Sequence, residues 1–139
     1  MPSRDDVQVG HELPAQSFPI TRADLVRYCG ASGDFNIIHW NERIAKAVGL
    51  PDVIAHGMYT MAVAGRVLTD WAGDPGAVES YGVRFSRPVV VPDDDRGAVL
   101  SVSGRVEELL DGGRVAVAMT ATVGEDKVLS QARAVVRLA

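Results

Sequence analysis

Residues 57–71 read GMYTMAVAGRVLTDW, and this stretch decides the fold. Apolar or small side chains lie nearly all the way round its helical projection, and the first strong charge comes only at Arg66. A helix that is apolar on every side is a buried helix. Ala62, Ala64 and Gly65 keep its surface low enough for other backbone to approach closely. That is the profile of a helix enclosed by a sheet, although an ordinary core helix against a flat sheet shares the pattern.

The strands to enclose it follow. In residues 78–87, Tyr81, Val83 and Phe85 share one face. In 98–106, Leu100, Val102 and Val106 alternate with Ser101, Ser103 and Arg105. In 114–123, Val115, Val117, Met119, Ala121 and Val123 share a face, and 128–138 alternates again with Arg133 and Arg137 outward. Asp111-Gly112-Gly113 is a hairpin signal, and residues 124–127 make the next turn. Between the first two strands, Pro88 and Pro92 bound a short run, Val89-Val90-Val91, before the solvent-exposed Asp93-Asp94-Asp95. Four successive strands after helices predict an α+β antiparallel architecture.

Upstream, residues 1–13 form a polar entry, and 16–20 a first strand with Pro19 at an edge or end. Thr21 and Asp24 have capping-box spacing and open a helix over 21–32 that stops at Gly33. Asn41 is the N-cap of a short helix over 42–48, closed by Gly49 and Pro51. The 139 residues make one domain, 1–139.

Composition removes several function classes. The charge of −4 is scattered, with no basic patch for nucleic acid. No apolar run reaches spanning length, because Arg66 and Asp70 interrupt the longest candidate, so no membrane insertion is expected. The opening MPSRDDVQVG has no apolar core of a signal peptide. The single cysteine, Cys29, excludes an intrachain disulfide and fits a reducing, cytoplasmic compartment as a packed small residue. C-x-x-C, H-E-x-x-H and phosphate-loop patterns are missing, so neither a metal nor another cofactor is expected.

The chemistry concentrates in 28-YCGASGDFNIIHW-40 and 53-VIAHGM-58. Asp34 to Ile38 reads as a loop, and a compact loop can bring the Asp34 carboxylate and the His39 imidazole to one point. The bland alternative is that Asp34 caps a helix starting near Trp40 or Asn41 and that His39 is a partly buried histidine. Asn36 has the chemistry to contact substrate or water, or to brace the loop. His56 sits just outside the N-terminus of the 57–71 helix as a cap or packing residue. The first N–H groups of that helix lack helical partners and carry partial positive charge, so a developing oxyanion fits there.

Residues 28–39 resemble the signature of the MaoC-like, (R)-specific enoyl-thioester hydratase/dehydratase family: an aromatic, small residues, then G-D-x-N-P-hydrophobic-H. Ala55-His56-Gly57-Met58 looks like the family's second block, and residues 71–76 and 83–85 are similar to mycobacterial (3R)-hydroxyacyl-acyl-carrier-protein dehydratases within it. One departure is Ile37, where the family usually has proline.

The resemblance implies a hot-dog fold, an antiparallel sheet wrapped around one long helix. It implies a hydro-lyase acting on acyl chains carried by acyl carrier protein or coenzyme A, in fatty-acid elongation of the mycolic-acid type. Asp34 and His39 match the family's catalytic pair, which holds the water added to or removed from the 3-position. Gly57 matches the glycine whose N–H meets the thioester carbonyl. It also implies a dimer with the active site at the interface, formed with a second copy or with a different hot-dog subunit. Three rivals remain. A hot-dog thioesterase commonly carries a carboxylate within the central helix, whereas residues 57–71 hold none before Asp70. A non-catalytic partner subunit would not need both Asp34 and His39. The third is a generic acyl-thioester binding module.

Overall fold

The computed structural model describes residues 2–139. Its elements are 3-10 turns at Arg4–Asp6, Ile37–His39 and Pro75–Ala77, and β1 (Glu12–Ile20), α1 (Arg22–Ser32), α2 (Glu42–Ala47), α3 (Gly57–Ala72), β2 (Val78–Phe85), β3 (Ala98–Leu109), β4 (Arg114–Val123) and β5 (Asp126–Arg137). The five strands form one antiparallel sheet in the order β1-β3-β4-β5-β2. Both junctions between consecutive neighbours, β3 to β4 and β4 to β5, are hairpins, and Gly112 and Gly113 turn the first with φ of 71° and 75°.

The inner face of the sheet follows the alternation expected from the sequence. Leu100, Val102 and Val106 from β3, Val115, Val117 and Met119 from β4, and Ala132, Ala134 and Val136 from β5 are all buried. α3 packs on this face against β1, β2, β3 and β5. The helix termini obey their local signals. Thr21 and Asp24 make both bonds of the capping box, Gly33 ends α1 in the left-handed region at φ 75°, and Asn41 caps α2 through the Ile44 N–H.

Two expectations need correction. α3 is not buried all round. It buries Thr60, Ala64, Val67, Leu68 and Ala72, while Met58, Ala62, Arg66 and Asp70 form an exposed line at helical spacing. The sheet covers one side of the helix, and the charges at 66 and 70 continue the line that Met58 and Ala62 begin. β1 starts at Glu12 rather than at 16; a register shift between Leu13 and Gln16 absorbs Pro14, which the strand tolerates because β1 is an edge. The Pro-bounded 89–91 run lies between β2 and β3, outside the sheet ladders. Val89 and Val91 are buried, and Val90 makes an isolated bridge to Ile54.

One tight position escaped the sequence entirely. Gly97, at φ 64°, lies so close to the end of β1 that a Cβ there would fall 2.0 Å from the Ile20 carbonyl oxygen. Only glycine permits β3 to start beside the end of β1.

Candidate active site

The loop after α1 is wound by short-range hydrogen bonds. The Ser32 hydroxyl donates to the Tyr28 carbonyl (2.6 Å) and accepts from the Asp34 N–H (3.1 Å). Asp34 Oδ1 accepts from the Asn36 N–H (3.1 Å), and Asn36 Oδ1 accepts from the Ile38 N–H (3.3 Å). Each side chain turns the backbone two residues ahead, which is the turn chemistry of Asp and Asn. The Trp40 indole N–H then closes onto the Phe35 carbonyl (3.0 Å). These bonds shape the loop without the proline that Ile37 replaces. Asp34 caps no helix near Trp40; Asn41 does that. Asn36 caps the 3-10 turn with its side-chain oxygen, which is the bracing role.

The extended segment 53–55 fixes the histidines. Val53 O accepts from the Val91 N–H and the Ala55 N–H donates to Val89 O, both at 2.9 Å. Ile54, between them, faces the other way: its N–H donates to Ile38 O (3.3 Å), and its carbonyl accepts from His39 Nδ1 (2.7 Å). A carbonyl only accepts, so Nδ1 carries a proton, and in the neutral ring Nε2 is left with a free lone pair. Arg22 ties the same region together from outside, reaching Val91 O (3.0 Å), Glu42 (3.1 Å) and Asp52 (2.7 Å).

His56 is 2% exposed and makes no side-chain cap on α3, so only the packing half of its expected role holds. Its ring stacks on His39, with centroids 3.8 Å apart and planes tilted 24°, and meets the Tyr28 ring edge-on at 4.6 Å. Its Nε2–H donates to the Asp34 carbonyl (3.1 Å), with Cys29 Sγ 3.6 Å from the same nitrogen. Nδ1 is then a buried acceptor with no partner among the described residues. Burial, first of all, and then the neighbouring His39 push the His56 pKa below its ordinary 6.5, outweighing the Asp34 backbone bond and carboxylate, which pull it up. Burial and then Asp34 push the Cys29 thiol up, so it is a packed thiol and not a nucleophile.

Asp34, His39 and His56 each bring one polar atom within 4.8 Å of the others. The loop therefore doubles back as expected. The set does not suit a metal. A histidine ligates in its ring plane at about 2.0–2.1 Å. Two rings stacked 3.8 Å apart at 24° have no common point that close to both.

His39, Gly57 and Thr60 line one largely apolar pocket of about 340 Å³, walled by Phe85, Val89 and Leu129. A Cβ on Gly57 would come 3.1 Å from the Phe85 ring, so glycine lets β2 close over the start of α3. Sequence reasoning missed Phe85 and Thr60 as pocket residues. The sequence pattern places Phe85 only on a strand face, and Thr60 lies within an apolar run. The Gly57–Phe85 contact is visible only once β2 is folded back along α3.

A sequence profile of the MaoC-like domain family matches residues 6–126. The chain is 46% identical over 79 residues to a Mycobacterium tuberculosis 3-hydroxyacyl-thioester dehydratase, across 57% of this chain and 27% of that protein. It is 34% identical over 112 residues to a Methylorubrum extorquens 3-hydroxybutyryl-CoA dehydratase, across 79% of this chain and 68% of that protein. A solved MaoC-like dehydratase superposes with a TM-score of 0.95 at 45% identity, over 99% of this chain and 42% of that one. The chain thus spans 27% and 42% of the length of the first and last of these relatives, and its sheet and helix have the hot-dog architecture of the solved dehydratase.

The buried, neutral His56 makes stability depend on pH. The unfolded chain binds a proton near pH 6.5 and the folded chain resists it, so this contribution is complete above pH 6.5 and drains as pH falls below it. Denaturant unfolding from pH 7.5 to 5 is expected to show wild type losing stability more steeply than His56→Phe below pH 6.5. The excess approaches at most about 1.4 kcal/mol per pH unit. Parallel curves would contradict the assignment.

Proposed function

The chain belongs to the MaoC-like domain family, and we propose that it interconverts (3R)-hydroxyacyl and trans-2-enoyl thioesters by losing or adding water. The observation that carries this is the meeting of the Asp34 carboxylate and the His39 imidazole within 4.8 Å, with His39 opening into the pocket at the uncapped start of α3. In hydration, Asp34 and His39 hold the water between them. His39 acts through Nε2, because Nδ1 is committed to Ile54. An O–H bond breaks, the oxygen bonds to C3, and electron density moves through C2 onto the thioester oxygen. The Gly57 N–H and the helix end stabilise that charge; one such donor is typically worth about 10²–10³ in rate. C2 then takes a proton from the same pair. Dehydration is the reverse, and one water balances the equation. The thioester carrier is coenzyme A or acyl carrier protein. The thioesterase alternative lacks a carboxylate on α3 near the pocket, since Asp70 lies at the far, exposed end.

The site is open in the single chain. Asp34 is exposed, and Phe35 (62%), Trp40 (49%) and Met58 (59%) stand uncovered beside the three site residues. Proton handling is far more effective where water is excluded. β1 and β2 are also unpaired sheet edges. We therefore propose that a second hot-dog unit, identical or different, covers this face and supplies the other wall of the acyl site.

Two outcomes are expected. Purified chain should hydrate crotonyl-CoA, and Asp34→Asn and His39→Ala should each lower kcat by about 10²-fold or more, while the double variant loses little beyond the worse single one. A folded variant with near-wild-type turnover would sink the pair. Sedimentation of the active species should give at least a dimer, and Met58→Asp should weaken both association and turnover; a fully active monomer would remove the second unit from the account.

A further inference from the structure

The pocket beside Gly57 holds one polar side chain to which the reaction above assigns no role. Thr60 is only 3% exposed, yet it lines the pocket with Gly57 and His39. A hydroxyl inside a helix ordinarily bonds back to a carbonyl of the preceding turn. Ser32 does so with Tyr28 at 2.6 Å, and Thr69 with Arg66 at 3.2 Å. The Thr60 hydroxyl has no such bond, and no other, among the described residues. It is therefore unengaged at the stretch of pocket wall that Thr60 forms. Thr60 follows Gly57 by three residues, so both belong to the same face of the first turn of α3.

We propose that the Thr60 hydroxyl is a second hydrogen-bond donor to the thioester carbonyl oxygen, acting beside the Gly57 N–H. The assignment rests on the hydration–dehydration chemistry above. A carbonyl oxygen has two lone pairs, and both gain charge as the enolate develops. One backbone N–H serves one of them. The other lies in a largely apolar pocket, where an unmatched developing charge is costly and a fixed donor is worth more than in water. Threonine suits this task because its branched Cβ leaves few rotamers, so the hydroxyl is aimed before the substrate arrives. Its contact with the reacting thioester makes Thr60 a catalytic residue, distinct from the proton-handling pair.

The test compares wild type, Thr60→Val and Thr60→Ser in crotonyl-CoA hydration, with thermal melts alongside. Valine keeps the shape and removes the donor; serine keeps the donor and removes a methyl. The expected result is a kcat lowered about 10²-fold in Thr60→Val with KM little changed, and kcat in Thr60→Ser within roughly fivefold of wild type, although serine loses more packing. If Thr60→Val does not fold, Thr60→Ala replaces it, with the same expected contrast against serine. Wild-type kcat in Thr60→Val would overturn the proposal. So would a change confined to KM, which marks ground-state binding, or equal losses in Val and Ser, which mark packing. Wild-type protein that hydrates no enoyl thioester overturns both this proposal and the reaction it rests on. A hydrating wild type with an indifferent Thr60→Val overturns this one alone.

Discussion

The candidate site depends on the peptide groups of residues 53–55. An extended chain turns successive peptides to opposite sides. Here that alternation sends the 53 and 55 groups to the 89–91 run and the Ile54 groups to the Ile38–His39 loop. A three-residue segment thus joins two pieces of chain that never touch the sheet ladder. It also leads directly into His56 and Gly57, so the same bonds that hold His39 set where α3 begins. The buried side chains of Val53, Val89 and Val91 make the join dry, which strengthens each hydrogen bond and raises the cost of breaking one. Arg22 reinforces it by binding the Val91 carbonyl and two acidic groups from α2 and the following loop.

That constraint decides the chemistry of the imidazoles. With Nδ1–H given to Ile54, His39 presents Nε2 as a proton acceptor. The Nε2–H bond to Asp34 pins the His56 ring against His39, and burial, working against that bond, holds the ring neutral. The two rings play unlike parts although they stack. One lines the pocket and keeps a ring nitrogen uncommitted; the other ties the Asp34 backbone to the start of α3. Asp34 is held by its own turn and by this bond. The pair is therefore assembled before any substrate binds, which is the condition for effective positioning.

Local signals were legible and distant ones were not. The capping box at Thr21 and Asp24, the stop at Gly33 and the Asn41 cap each involve groups within a few residues, and all formed as expected. The inward faces of β3, β4 and β5 followed from period-two alternation. The meeting of Asp34 and His39 followed from loop residues that turn their own backbone. The role of the 53–55 segment was invisible because its partners lie more than thirty residues away, at 89–91. Gly97 was invisible for the same reason, since what forbids a side chain there is the end of β1. The open line on α3 was misjudged because Met58 and Ala62 are apolar, although Arg66 and Asp70 continue it. Thr60 was passed over because its significance lies in a hydrogen bond it does not make.

The central claim is that the Ile54 carbonyl fixes His39 as the Nδ1–H tautomer, with Nε2 free for proton transfer. Long-range nitrogen–proton correlation spectra of the uniformly nitrogen-15-labelled protein at neutral pH report this directly, with His39→Gln identifying the signals. A pyrrole-type Nδ1 and a pyridine-type Nε2 are expected for His39. The opposite pattern, with the proton on Nε2 and a bare Nδ1, would mean that Ile54 does not hold the ring and would contradict the account.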